Sequence, residues 1–80
     1  MTAEDFRKLS KEERYRLAKV KATHLANRVH GGFQIGLFYL DGLYFEVWKR
    51  FGLNIIDYIE PVDESKVRND YLDNLDLPGL

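Results

Sequence analysis

Phe33-Gln34-Ile35-Gly36-Leu37-Phe38-Tyr39-Leu40-Asp41-Gly42-Leu43-Tyr44-Phe45-Glu46-Val47-Trp48 places two runs of apolar and aromatic residues on either side of one Asp-Gly pair. Asp-Gly between runs of period two is a hairpin signal, because both residues tolerate the positive φ that tight turns require. The side-chain pattern then argues for a register. In a two-residue loop Leu40 pairs with Leu43, which sets Leu37 beside Glu46 and Ile35 beside Trp48. In a three-residue loop, Leu40-Asp41-Gly42, Tyr39 faces Leu43, Leu37 faces Phe45 and Ile35 faces Val47. The second keeps one face wholly apolar and is the expected one. It makes a core of Phe33, Ile35, Leu37, Tyr39, Leu43, Phe45 and Val47, and leaves Gln34, Gly36, Phe38, Tyr44, Glu46, Trp48 and Arg50 on the other face.

Downstream, Leu53 to Glu60 reads as a third strand whose register stays open, since Ile55, Ile56 and Ile59 cannot all point inward without a bulge. Pro61 ends it. Asp63 is a cap for a helix over 63–76, with Val67, Tyr71 and Leu75 as its apolar stripe. Upstream, Ser10 with Glu13 matches a capping box, and Thr2 with Asp5 marks a short capping turn within residues 1–10. From Lys11 to Val29 there is no glycine or proline, and alanine recurs at 18, 22 and 26. The spacing predicts one long helix over 11–29, stopped by Gly31-Gly32.

The expected fold is therefore α+β: a long N-terminal helix packed on a three-stranded antiparallel β-meander over 33–60, then a short C-terminal helix. The order is α-β-β-β-α in a single domain over residues 1–80. No repeat or linker composition divides the chain.

Chemistry is sparsely represented. Cysteine is absent, which excludes thiol nucleophiles, disulfides and thiolate zinc sites. Ser10, Ser65, Thr2 and Thr23 are the only hydroxyl candidates for a nucleophile of the serine type, and three of them sit where helix starts want hydroxyls. His24 and His30 are the only imidazoles, spaced wrongly for a shared metal on a helix. No catalytic residue, metal or cofactor is assigned, and the protein is expected not to be an enzyme. Glu46, between Tyr44 and Trp48, is the most notable ionisable residue, with Asp57 expected across from it.

The aromatic second face is the feature that the core does not absorb. Phe38, Tyr44 and Trp48 expose roughly 300 Å² if the pleat leaves half of each ring in water, comparable to the largest apolar patch on a typical monomer. Glu46 and Arg50 would form its polar rim. The competing arrangement is that the C-terminal helix covers these rings. Net charge, −1 over the chain, hides an asymmetry. Residues 1–30 hold eight bases against four acids, a balance of +4, whereas residues 31–80 hold four bases against nine acids, a balance of −5. Arg7, Lys11, Arg14, Arg16, Lys19, Lys21 and Arg28 would then be the phosphate contacts of a nucleic-acid-binding helix.

The element order is similar to that of the double-stranded RNA-binding domain. That resemblance implies a basic cluster opening the last helix and a Gly-Pro-x-His loop between the first strands. Here those positions read Asp63-Glu64-Ser65-Lys66 and Leu40-Asp41-Gly42. The stretch Leu37 to Trp48, LFYLDGLYFEVW, resembles the hairpin of a family of short bacterial proteins that pair a helix with a small meander. That resemblance implies the fold and a bacterial origin, with no activity to carry over. The first twenty residues lack the apolar run of a secretory signal, no window reaches the length of a membrane span, and a cytoplasmic location is expected. The functional expectation is a non-enzymatic protein–protein interaction module, a homodimer through the aromatic sheet face, with nucleic-acid binding by the basic N-terminal helix as the alternative.

Overall fold

The computed structural model describes residues 1–71. Two short helices, α1 (Ala3–Arg7) and α2 (Lys11–Val20), precede four strands, β1 (Thr23–His30), β2 (Phe33–Leu40), β3 (Leu43–Arg50) and β4 (Ile56–Val62), and α3 (Glu64–Tyr71) follows. The strands form one antiparallel sheet in the order β1-β2-β3-β4. The fold is α+β, as expected, but the sheet has four strands and the N-terminal helices are short.

The helix starts follow from local chemistry. Thr2 Oγ1 accepts from the Asp5 N–H at 3.1 Å. Ser10 and Glu13 complete a reciprocal capping box at 3.1 and 3.0 Å. Asp63 Oδ1 accepts from the Lys66 N–H at 2.9 Å and from the Ser65 hydroxyl at 3.0 Å, which starts α3.

The long helix predicted over 11–29 ends at Val20 instead, and Thr23–His30 is a strand. Ala18 is buried on α2, whereas Ala26 lies opposite Leu37 in the sheet, so the spacing of four among the alanines is not one helical stripe. The physical reason lies in β2. That strand is apolar on both faces and needs backbone partners along both edges, and unpaired buried N–H and C=O groups are costly. Residues 23–30 supply the second edge through a hairpin at Gly31-Gly32, where Gly31 has φ +56°. The glycine pair turns a strand rather than stopping a helix.

The register of the central hairpin also differs from the preferred one. Asp41 (φ 47°) and Gly42 (φ 84°) form a two-residue turn with both residues in the left-handed region. Leu40 therefore pairs with Leu43, Leu37 with Glu46 and Ile35 with Trp48. A wholly apolar face was the wrong criterion because both faces of this sheet are covered. On one face Phe6 of α1 and Ala18 of α2 pack with Leu40, Leu43, Phe45 and Ile59. On the other, Val67 and Tyr71 of α3 pack with Leu37 and Tyr44.

β4 passes through Pro61, which lies opposite Phe45, so Pro61 does not end the strand. Proline is tolerated there because β4 is an edge strand. Glu60, not Asp57, stands across from Glu46, and the bulge foreseen among the isoleucines falls opposite Trp48 and Lys49. Lys11 Nζ donates to the Ile56 carbonyl at 3.2 Å and Arg14 Nη1 to the Ile59 carbonyl at 2.6 Å, so two cations from α2 cap backbone acceptors of this edge strand. The predicted stripe residue Leu75 lies outside the described residues.

Hydrogen bonding to Ser10, above all from its backbone N–H, holds the Glu13 carboxylate below its ordinary pKa of 4.5. The Lys66 N–H, then the Ser65 hydroxyl, does the same for Asp63. Folded values below unfolded ones give stability that is present above the ordinary carboxylate pKa and lost as pH falls through the depressed folded values. Urea midpoints should therefore drop on acidification, and Glu13→Gln should flatten part of that acid limb.

Candidate functional site

Glu46 anchors the covered half of the α3 face. It is 1% exposed, yet all its acceptor positions are used. Arg28 Nε and Nη2 donate to its two oxygens at 3.2 and 3.4 Å, the Trp48 indole N–H donates at 3.2 Å and the Tyr71 hydroxyl at 2.8 Å. The Arg28 guanidinium lies 5.4 Å from the Trp48 ring centroid and 5.6 Å from that of Tyr71, and pairs with Asp70 at 3.4 Å. Burial opposes the charge on Arg28, but its hydrogen bond and attraction to Glu46 prevail and raise its pKa. Burial first, then the bond to the Glu46 carboxylate, pushes the Tyr71 phenol well above its ordinary value. With both carboxylate oxygens held by four donors, Glu46 is a latch joining β1, β3 and α3.

Past this latch no helix among the described residues lies above the sheet. Trp48 lies 5.3 Å from Phe33, 5.9 Å from Tyr58 and 6.1 Å from His30, ring centroid to ring centroid, and Phe33 reaches Tyr58 at 6.1 Å. These distances fall in the range of edge and tilted aromatic contacts. Tyr58 is 50% exposed, and the β3–β4 loop beside it exposes Phe51 (59%) and Leu53 (60%). That loop is not loose, because the Phe51 N–H donates to the Gly32 carbonyl at 2.8 Å and ties it to the β1–β2 turn. Arg50 pairs with Asp57 at 2.8 Å, which supplies both signs of charge at the rim.

The five residues expected to share one interaction patch therefore separate. Trp48 and Arg50 stay on the helix-free end. Tyr44 is buried against Tyr39 and α3, and Glu46 is buried in the latch. Phe38 lies on the opposite face, stacked on Phe45 at 5.5 Å, because the two-residue turn shifts β3 by one position against β2. Phe33, Tyr58 and His30 were missed. Phe33 and Trp48 share a face only in the register that was not preferred, and His30 joins them only once residues 23–30 form a strand.

The seven basic residues do not share a helix either. Arg28 is on β1 in the latch. Arg14 lies against the Phe6 ring, donating to the Leu9, Arg7 and Ile59 carbonyls and pairing with Glu60 at 3.4 Å. Lys11 bonds the Ile56 carbonyl, and Lys19 sits over the Tyr15 ring at 5.3 Å. Arg7, Arg16 and Lys21 are exposed.

Among the described residues no cluster of His, Asp and Glu is arranged to hold a metal ion, and no helix is long and apolar enough to cross a membrane. Removing the carboxylate by Glu46→Ala would leave the partly buried Arg28 with Asp70 alone and the Tyr71 hydroxyl and Trp48 indole without their acceptor, and should lower unfolding free energy by about 2 kcal/mol or more in urea titrations. Because the folded phenol pKa of Tyr71 is raised, stability should be full below pH 10.0 and decline as pH rises above it. Tyr71→Phe should weaken that alkaline decline. No family model, curated protein or solved structure matches this chain.

Proposed function

We propose that the protein is a non-enzymatic protein–protein interaction module whose partner is a second copy of the chain, docking through the helix-free end of the sheet. The observation that carries this reading is the cluster of Phe33, Trp48 and Tyr58 with the exposed Phe51 and Leu53 beside it. Interface cores favour aromatic anchors within a polar rim, and Arg50 with Asp57 gives that rim both signs of charge. A twofold interface must be complementary to itself, which an apolar centre with mixed charge at its edge satisfies. A chain this small also has a limited core, so burying this end against a copy adds stability that the monomer lacks.

Nucleic-acid binding is the second reading, resting on Arg7, Arg16, Lys19 and Lys21, exposed bases of the N-terminal third. The readings separate by salt, since phosphate contacts weaken steeply as salt rises and apolar association does not.

Light scattering at low and high micromolar protein, at two salt concentrations, should give a mass that rises to a dimer and resists salt. Tyr58→Ala, outside the latch, should weaken association by more than about 1 kcal/mol, as should Trp48→Ala, which also removes a donor to Glu46, while Lys19→Ala should leave it unchanged. A monomer at every concentration would exclude the homodimer, and a gel shift at low salt abolished by Lys19→Ala with Arg16→Ala would favour nucleic acid.

A further inference from the structure

The opposite face of the sheet carries a second concavity. α2 covers only the half of this face near Leu40 and Leu43, and beside the helix, at Tyr15, a cleft of about 260 Å³ opens over β1, β2 and β3. Its apolar floor is Gly36, Phe38, Val47 and Ile56, and its wall carries Tyr15, His24, Asn27, Gln34, Lys49 and Asn54. Gly36 keeps the floor open: a Cβ there would stand 3.1 Å from the Phe38 ring and 3.5 Å from Asn27 Oδ1.

The polar groups of the wall are biased towards donation. Asn27 Oδ1 is engaged by His24 Nε2 at 2.9 Å, and Asn54 Oδ1 by Lys49 Nζ at 3.4 Å. Each amide oxygen thus has one internal contact, while both NH₂ groups stand as donors alongside the ammonium of Lys49, the cleft's only charged group among the described residues. Among the described residues no carboxylate lines this cleft. Tyr15, Asn54 and Ile56 also border an adjoining hollow of about 420 Å³, lined further by Ile55, Ile59, Lys11 and Glu12. Sharing Tyr15, Asn54 and Ile56, the two make one groove along α2, with the amides and the Lys49 ammonium at one end and the isoleucines, bordered by Lys11 and Glu12, at the other.

We infer that this groove binds a small amphipathic anion, with a carboxylate or phosphate head at Lys49, Asn27 and Asn54 and an apolar chain along Tyr15, Ile55 and Ile56. Charge complementarity sets the head and the isoleucines set the body. This site is separate from the aromatic face and does not depend on self-association.

The test is an amide-resolved NMR titration with octanoate, octyl phosphate, 1-octanol and inorganic phosphate. Octanoate or octyl phosphate should move the Asn27, Gly36, Lys49 and Asn54 amides, and the tighter of the two identifies the head. Lys49→Gln should weaken that probe by about tenfold without altering 1-octanol, as loss of a charged hydrogen-bond donor predicts. Ile55→Ser, at an exposed position, should weaken all the octyl probes and retain a folded spectrum. The inference is overturned if neither anion moves these amides at about 10 mM, if 1-octanol binds as tightly as the anions, or if inorganic phosphate binds as tightly as octyl phosphate.

Discussion

A buried carboxylate with four donors is what the remainder of this structure is arranged around. Glu46 on β3 is reached by Arg28 from β1, by Trp48 from its own strand and by Tyr71 from α3. Taking a carboxylate out of water costs several kcal/mol unless every acceptor position is satisfied, so the three partners must arrive together. Each fixes a different element. Arg28 requires residues 23–30 to be a strand, Glu46 requires the two-residue turn at Asp41-Gly42, and Tyr71 requires α3 to lie across the sheet. The stacking of Trp48 and Tyr71 on the guanidinium holds the charge where water is scarce.

The same arrangement decides where surface is left over. The described helices cover the Leu40–Leu43 half of the sheet from both sides, and α3 reaches as far as the latch. On the other half no described helix covers either face, one aromatic and one lined with amides and a lysine. Both end at the β3–β4 loop, which the bond from Phe51 to Gly32 holds against the neighbouring turn. A loop tied by backbone hydrogen bonds and presenting Phe51, Leu53 and Ile55 is suited to binding because those bonds lower the ordering entropy that docking would cost. The proposed self-association and the proposed anion groove divide these two faces between them.

The sequence was legible wherever chemistry is local. Ser10 with Glu13, Thr2 with Asp5 and Asp63 with Lys66 declare helix starts within four residues, and the strands flanking Asp41-Gly42 declare themselves by their β-branched and aromatic residues around a turn pair. The stripe of Val67 and Tyr71 marked the last helix, and its packing on Leu37 and Tyr44 is the covering that the sequence left open as the competing arrangement. What misled was non-local. Residues 21–29 carry no helix breaker, and only the unpaired edge of β2 turns them into a strand. The register was misjudged because a buried Glu46 looks unfavourable until Arg28 is known to lie beside it. The interaction patch inherited both errors: Phe38 and Tyr44 left it, and Phe33 and Tyr58 entered.

The central claim is that the latch is internal and invariant while the helix-free aromatic end is where a second copy docks. The most direct measurement is a dilution series of NMR spectra, following the backbone amides of Phe33, Phe51 and Tyr58 against those of Arg28, Glu46 and Tyr71. The account predicts concentration-dependent shifts confined to the first set, with the second set unmoved. Shifts centred on α2, or no shift in the first set at any concentration, would contradict it.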